Sequence, residues 1–435
     1  MKFLFTFTFI LFASFQTHAQ TAAVVSQPIT DSRAVRLESF DKVWNTVNEK
    51  HFDPTFGGVD WKKMREIYEP KAMAAKSDPE FHGVLRQMLG ELKLSHFGIL
   101  PPAADLAAIQ SGRGVIGIDI KILEGLPVID RVESDSPAGK AGVLAGFIVR
   151  KIDGKSVSEL TKPLEDSLSG RKITDGMRKI YFERTIEGII NGKADSPVKI
   201  EVLNGKDQPQ TFQLVRKTFD GQMSQALGNF PPQEVIFESK LLANDIGYIR
   251  FNMWIIPQMP KIRAAMREFQ NARGIIIDLR GNPGGIGGMA SGFAGLMVNS
   301  QASLGSMKTR SGSMEFIIYP QNEPYRGKVV IITDHGSGST SEVFAAGLQE
   351  MGRAAVIGTT SAGAVLPSIF EKLPTGAIFQ YAISDYKSPK NILIEGRGVI
   401  PDMEIRQTRK ALLAGRDAQL EAAVKFLLPG QNREQ

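Results

Sequence analysis

Between residues 34 and 100 the apolar positions recur every three or four residues. Leu37, Phe40, Val43, Trp44 and Val47 fall on one helix face. Asp60 is placed to cap a second helix from Trp61. Ser77 or Asp78 is placed to cap a third, with Pro79 in its first turn and Phe81, Val84, Leu85, Met88, Leu89 and Leu92 on its apolar side. That helix runs out over Lys93-Leu94-Ser95-His96-Phe97-Gly98, and Pro101-Pro102 forbids simple continuation. From Gly112 the period shortens to β-like runs at 115–120, 127–132 and 148–152. Beyond about residue 235 strands and helices alternate. Ile246–Phe251, Ile275–Leu279, Val329–Thr333 and Ala355–Ile357 read as strands, with helices through Ile262–Phe269 and from Ser341 to Met351. Continuous apolar strands are buried on both faces, and this alternation predicts an α/β core.

Composition narrows the picture. A chain of 435 residues with 42% hydrophobic and 23% charged residues predicts two or three globular domains. The balance of 52 Lys plus Arg against 46 Asp plus Glu gives +6, spread without a run of like charge, so a nucleic-acid partner is not expected. With no cysteine, disulfides, thiolate metal sites and a cysteine nucleophile are excluded. Lys2, the apolar stretch Phe3–Phe15 and Thr17-His18-Ala19 read as a secretory signal over 1–19, cut after Ala19. The stretch is too short to span a bilayer core of about 30 Å as a helix. The mature protein is therefore expected to be exported, periplasmic or secreted, with no integral membrane span.

Two glycine-rich turns leave the ends of buried strands. One is Asp278-Leu279-Arg280-Gly281-Asn282-Pro283-Gly284-Gly285; the other, His335-Gly336-Ser337-Gly338-Ser339-Thr340-Ser341-Glu342, opens into a helix. A serine at a helix N-terminus has backbone donors nearby for a developing oxyanion. Each turn alone is unspecific, since such turns also bind phosphate or nothing.

Together, "DLRGNPGG", "GSGSTSE", "GRAAVIG" and Gly398-Val399-Ile400-Pro401-Asp402 resemble the C-terminal processing (tail-specific) and tricorn-core serine peptidases. Residues 112–218 resemble a bacterial PDZ domain, through "GVIGIDI", "SPAGKAGV" and "IVRKIDGKSV"; Gly146-Phe147 stands where such domains carry Gly-Asp. The resemblance implies a multidomain α/β protein. After the signal come a helical region (20–111), an inserted PDZ-like β domain (112–218) and a crotonase-like α/β peptidase core (219–435). It also makes Ser339 the nucleophile.

The processing peptidases carry a lysine base twenty-five residues after the serine, and this chain has Ala364 there. Lys372 and Lys387 lie outside the motif. The tricorn-like branch uses a histidine instead, and Ser95-His96 with Glu395 match its pattern. By that resemblance His96 is the general base, Glu395 orients it and Ser95 completes the set. A histidine with an ordinary pKa of about 6.5 suits proton exchange near neutrality. The Thr340 N–H and an N–H of Gly284 or Gly285 are the expected oxyanion donors. The implied activity is serine endopeptidase, without cofactor or metal. Its partners are protein or peptide substrates, held by a free C-terminus at Gly114, Val115, Ile116, Gly117 and Ile118. Gly114 and Gly117 favour an anion-binding nest there, and the adjoining strand can take an added strand. The rival reading is a catalytically silent binding protein on the same fold. Ser337 and Ser341 read as turn or cap residues, and His335 as local scaffolding.

Overall fold

The computed structural model describes residues 32–102, 112–168, 173–219 and 221–428; the segment read as a signal lies outside them. Three helices open it, α1 (Ser32–Lys50), α2 (Trp61–Met73) and α3 (Asp78–Gly90). The side chains of Asp60 and Ser77 accept hydrogen bonds from the Lys63 and Glu80 N–H groups, so both caps act as the pattern predicts. Helix α3 stops at Gly90, and Leu92 falls beyond it while remaining buried. Phe40, Val43, Trp61, Phe81, Leu85 and Leu89 close a core, with Trp44 and Phe56 at its margin. Four residues from far along the chain, Leu373, Ala377, Phe379 and Tyr381, complete that core. The strand Gly98–Leu100 pairs antiparallel with Ile378–Ala382, itself paired with Ser368–Lys372. The helical region therefore packs onto a late hairpin.

A second body follows. Its strands β1 (Ile118–Leu123), β2 (Leu126–Val132), β3 (Ile148–Ile152), β4 (Pro197–Leu203) and β5 (Pro209–Val215) form an antiparallel sheet in chain order. Helix α4 (Asp175–Ile190) lies against β1. The ends of this body meet, because Arg113–Val115 pairs with Lys217–Thr218 on one side and with Gly192–Lys193 on the other. At Gly146-Phe147 the glycine takes φ +88°, and the phenylalanine turns into the core at 6% exposure. The phenylalanine at this turn thus packs inward.

The third body holds a six-stranded sheet whose spatial order equals its chain order. Its strands are β6 (Phe237–Leu242), β7 (Ile246–Phe251), β8 (Gly274–Asp278), β9 (Lys328–Thr333), β10 (Ala354–Gly358) and β11 (Met403–Glu404). Only β6 and β7 pair antiparallel. Ile275, Ile277, Ile331 and Val356 face one core, while Ile276, Val330, Ile332 and Ile357 face another, closed by helix α7 (Ala418–Leu427). Burial on both faces explains why these strands read as unbroken apolar runs. At about 1.5–3 kcal/mol per buried aliphatic side chain, this sheet anchors everything attached to its ends. Helices α5 (Gln258–Glu268) and α6 (Thr340–Glu350) cover one face, and α6 begins one residue before the predicted Ser341.

Candidate active site

The site lies where β8 and β9 end. Asp278, fully buried, accepts from the Tyr248 hydroxyl at 2.8 Å and from Arg280 Nε at 2.9 Å, and Arg280 also grips Asp417 at 2.7 and 2.9 Å. Desolvation opposes charge on Asp278, but the two arginines Arg280 and Arg250 hold its carboxyl well below the usual range. This fixes the turn leaving β8. Buried Asn282 continues the anchoring, donating Nδ2 to Phe251 O at 2.9 Å and accepting the Gly284 N–H at 3.0 Å.

The two glycine turns are stitched together. The Gly338 N–H donates to Asn282 O at 3.0 Å, the Ser341 hydroxyl to the same oxygen at 3.0 Å, and the Thr340 hydroxyl to Gly285 O at 2.9 Å. Ser337 donates to Leu279 O at 2.8 Å and is a turn residue, while Ser341 lies in the first turn of the helix that follows. Gly284 needs to be glycine: at φ +99° a Cβ would stand 2.5 Å from Ser339 Cβ. Of the expected oxyanion donors, Gly284 is unsuitable because Asn282 already takes its N–H. The N–H groups of Gly285 and Thr340 make no hydrogen bond among the described residues. Those two remain available to an anion.

Ser339 itself sits at φ +53° and ψ −118°, a conformation serine avoids. Such strain costs about 1–3 kcal/mol and persists only where neighbours over-determine it. The neighbours are visible. Ser339 N–H donates to Ala364 O at 2.8 Å and to Glu342 Oε2 at 3.0 Å. Glu342, fully buried, also accepts from the Ser361 hydroxyl at 2.5 Å, Gly363 N at 2.7 Å and Ala364 N at 2.9 Å. Burial pushes its carboxyl up to about 7 against those four donors. Sequence reading gave Glu342 no role, although a glutamate three residues after a helix-capping serine is the capping-box signal.

Ala364 occupies the place where a lysine base was sought, and it serves Ser339 through its carbonyl alone. Lys372 is exposed at the end of the strand Ser368–Lys372. The adjacent residue, Val365, donates its N–H to Glu395 Oε2 at 2.9 Å. Glu395 in turn accepts the Ser95 N–H at 2.7 Å and the Ser95 hydroxyl at 3.0 Å, and Ser95 Oγ lies 2.7 Å from His96 Nδ1. The strip Ala364–Val365 thus meets Ser339 through its backbone N–H and Glu395 through its carboxylate, with Ser95 and His96 linked to it through Glu395. Glu395 reaches His96 only through Ser95. A hydroxyl has one proton, so if Ser95 gives it to Glu395, Nδ1–H must donate to Ser95 Oγ. That tautomer leaves the Nε2 lone pair free. Ser339 and His96 are not hydrogen-bonded to each other among the described residues; contacts of this kind often tighten only with substrate bound.

Burial pushes His96 down to about 4 and raises Glu395. Protonation of the free base then begins only as pH falls towards that value. The expected acid limb of kcat/KM lies nearer pH 4–5 than 6.5. A limb centred at 6.5 in a pH–rate series shows that the working base is not depressed by its surroundings.

The second body touches the same turns. Lys121 on β1 donates to Asp334 Oδ2 at 2.6 Å, while Asp334 Oδ1 accepts the N–H groups of Gly281 and Gly336 at 2.8 and 2.9 Å. His335 is more than local scaffolding, for its Nε2 lies 2.7 Å from Glu183 Oε1 on α4. The expected peptide-binding stretch is divided. Gly114 and Val115 belong to the doubly paired strand that closes this body, and a Cβ on Gly114 would meet Ala194 Cα at 2.6 Å. The turn proper is Ile116-Gly117-Ile118, with Gly117 at φ +77° and the Ile116 side chain buried.

Residues 245–405 match the family model for peptidase family S41, and residues 32–90 match the tricorn protease C1 domain. A carboxyl-terminal-processing protease of Synechocystis is 24% identical over 416 residues, covering 92% of this chain and 88% of its own. The chloroplastic C-terminal processing peptidase of Tetradesmus obliquus is 25% identical over 407 residues, covering 88% and 79%. The solved photosystem II D1 C-terminal processing protease superposes with a TM-score of 0.58 at 21% identity, covering 92% of this chain and 98% of that one. Mature CPAF gives 0.60 at 12% identity, covering 91% and 97%. Both structural likenesses concern the fold.

Proposed function

We propose that this chain, a member of peptidase family S41 and a serine-type peptidase, cuts protein or peptide substrates near their C-termini with Ser339 as nucleophile and His96 as base. The observation that carries this reading is the hydrogen-bonded line Glu395–Ser95–His96, meeting the strained Ser339 across Ala364–Val365. Ser339 Oγ attacks the scissile carbonyl as His96 Nε2 takes its proton. Positive charge then spreads from the ring through Nδ1–H and Ser95 towards Glu395, and His96 returns the proton to the leaving amine. Water enters, His96 activates it, and the acyl–enzyme ester is hydrolysed. The Gly285 and Thr340 N–H groups hold the oxyanion, and a single donor of this type is worth about 10²–10³ in rate.

The finer parts of the reading are proposals of the same standing. The core is crotonase-like, the body spanning 112–218 is PDZ-like and receives substrate tails at Gly117 and Ile118, and the protein is exported. No helix among the described residues is long and apolar enough to cross a membrane. A fluorophosphonate probe tests the chemistry. Wild-type protein is expected to be labelled and Ser339→Ala protein not; equal labelling of both, or of neither, overturns Ser339 as an activated nucleophile.

A further inference from the structure

The groove between β1 and α4 is already partly filled by the protein's own carboxylates. The Ile120 N–H donates to Glu187 Oε1 at 2.9 Å, and the Ile122 N–H to Glu183 Oε1 at 2.7 Å. Alternation along β1 turns the Ile118 N–H to the same side. These are the donors that an added strand needs. A tail whose terminal residue sits opposite Ile118 runs antiparallel to β1, so the residue two before the end lies opposite Ile120. To pair there it must lift Glu187 off the Ile120 N–H.

The two glutamates differ in how freely they can leave. Glu183 is pinned from the core side by His335 at 2.7 Å, with Lys121 at 4.0 Å. It closes the groove after Ile120 and limits the frame to about three residues. Glu187 has no such second anchor among the described residues, and its carboxylate neighbours Asp119 and Glu183 repel it. Lys121 attracts it from a distance but is itself held by Asp334 at 2.6 Å. Arg184 on α4 is exposed at the rim of the same cavity of about 300 Å³, and Glu133 stands beside Gly117. A displaced Glu187 is a half-buried carboxylate that has given up its Ile120 hydrogen bond, in a cavity lined by both carboxylates and the cations Lys121, Arg131, Arg184, Arg250 and Arg280. The side chain opposite Ile120 shares its face, and Ile120 packs against Ile186 and Ile190 of α4. It points at the helix that carries Glu187.

We propose that this groove selects substrate tails carrying lysine or arginine two residues before a free terminus, with Glu187 as the residue that reads it. The proposal rests on the tail-binding reading above and names the class of tail. Burial pushes Glu187 up to about 7 against its Ile120 hydrogen bond, so an arriving cation draws the group into its ionised form.

The test uses full-length Ser339→Ala protein and fluorescent peptides with lysine or glutamate at that position, each as free acid and as amide. The free-acid lysine peptide is expected to bind about tenfold tighter than its glutamate counterpart, the ratio that 1.4 kcal/mol produces. E187Q keeps an oxygen for the Ile120 N–H and is expected to abolish that ratio; E187K is expected to invert it. Equal binding of lysine and glutamate tails overturns the charge preference, and the free-acid advantage over amides then decides separately whether tails are read at all. A lysine preference that survives E187Q overturns the assignment to Glu187.

Discussion

Replacing His96 by alanine is expected to lower kcat about as far as replacing Ser339, and the double variant is expected to be no slower than either single one. Members of a nucleophile–base unit fail together, because a hydroxyl without its base and a base without its hydroxyl are equally idle. In comparable units the loss is about 10⁶ in kcat. The expectation depends on Ala364: with alanine's methyl at the position 25 residues after Ser339, no side chain there can take a proton. Single-turnover cleavage of a fluorogenic peptide by the three variants checks it. A His96→Ala enzyme within tenfold of wild type would falsify the relay and return attention to the lysines. Glu395→Gln is the graded companion. It keeps an acceptor for Ser95 but removes the charge, so turnover is expected to fall less than with the nucleophile lost.

The second large effect belongs to Glu342. Changing it to alanine leaves the Ser361 hydroxyl and the Gly363 and Ala364 N–H groups buried without their acceptor, and frees one of the two bonds on the Ser339 N–H. Each orphaned buried donor costs about 1–3 kcal/mol, so a loss of about 3 kcal/mol or more is expected in denaturant unfolding. Catalysis is expected to suffer separately. Ser339 is held at φ +53° by contacts on the same strip, and a displacement of about 1 Å at a reacting atom costs roughly 10² in rate. The expected signature is a fall in kcat with KM little changed, in protein still folded at low temperature. Unchanged kcat in stably folded Glu342→Ala protein shows that Ser339 keeps its geometry without the carboxylate.

Much of this was legible from residue order alone. Strands β7, β8, β9 and β10 announce themselves as apolar runs because both faces are buried, and Asp60 and Ser77 cap helices for purely local reasons. Ser95, His96, Ser339 and Glu395 were picked out by resemblance, and the linkage of Ser95 and His96 to Glu395 is a tertiary fact. The Ser95–Glu395 bond joins positions 300 residues apart, brought together by the pairing of Gly98–Leu100 with Ile378–Ala382. No periodicity carries that information. Lys121, Asp334 and Glu183 escaped notice for a related reason. Each is an ordinary charged residue in its local sequence, and only the docking of one body on another buries them together. Gly284 went the other way: its freedom of φ was foreseeable, but the capture of its N–H by Asn282 depends on a side-chain rotamer.

The pairing of Gly98–Leu100 with a hairpin near residue 380 also has a consequence in time. During synthesis the histidine leaves the ribosome first with Ser95 beside it, and for most of translation Ser339 and Glu395 are both still missing. Even after Ser339 has emerged, the carbonyl of Ala364, the strand at 378–382 and Glu395 are still to come. On the proposed mechanism the site is therefore incomplete until nearly all of the chain exists. Such long-range closure slows folding, and on that mechanism the delay keeps the nucleophile and its base apart for most of synthesis.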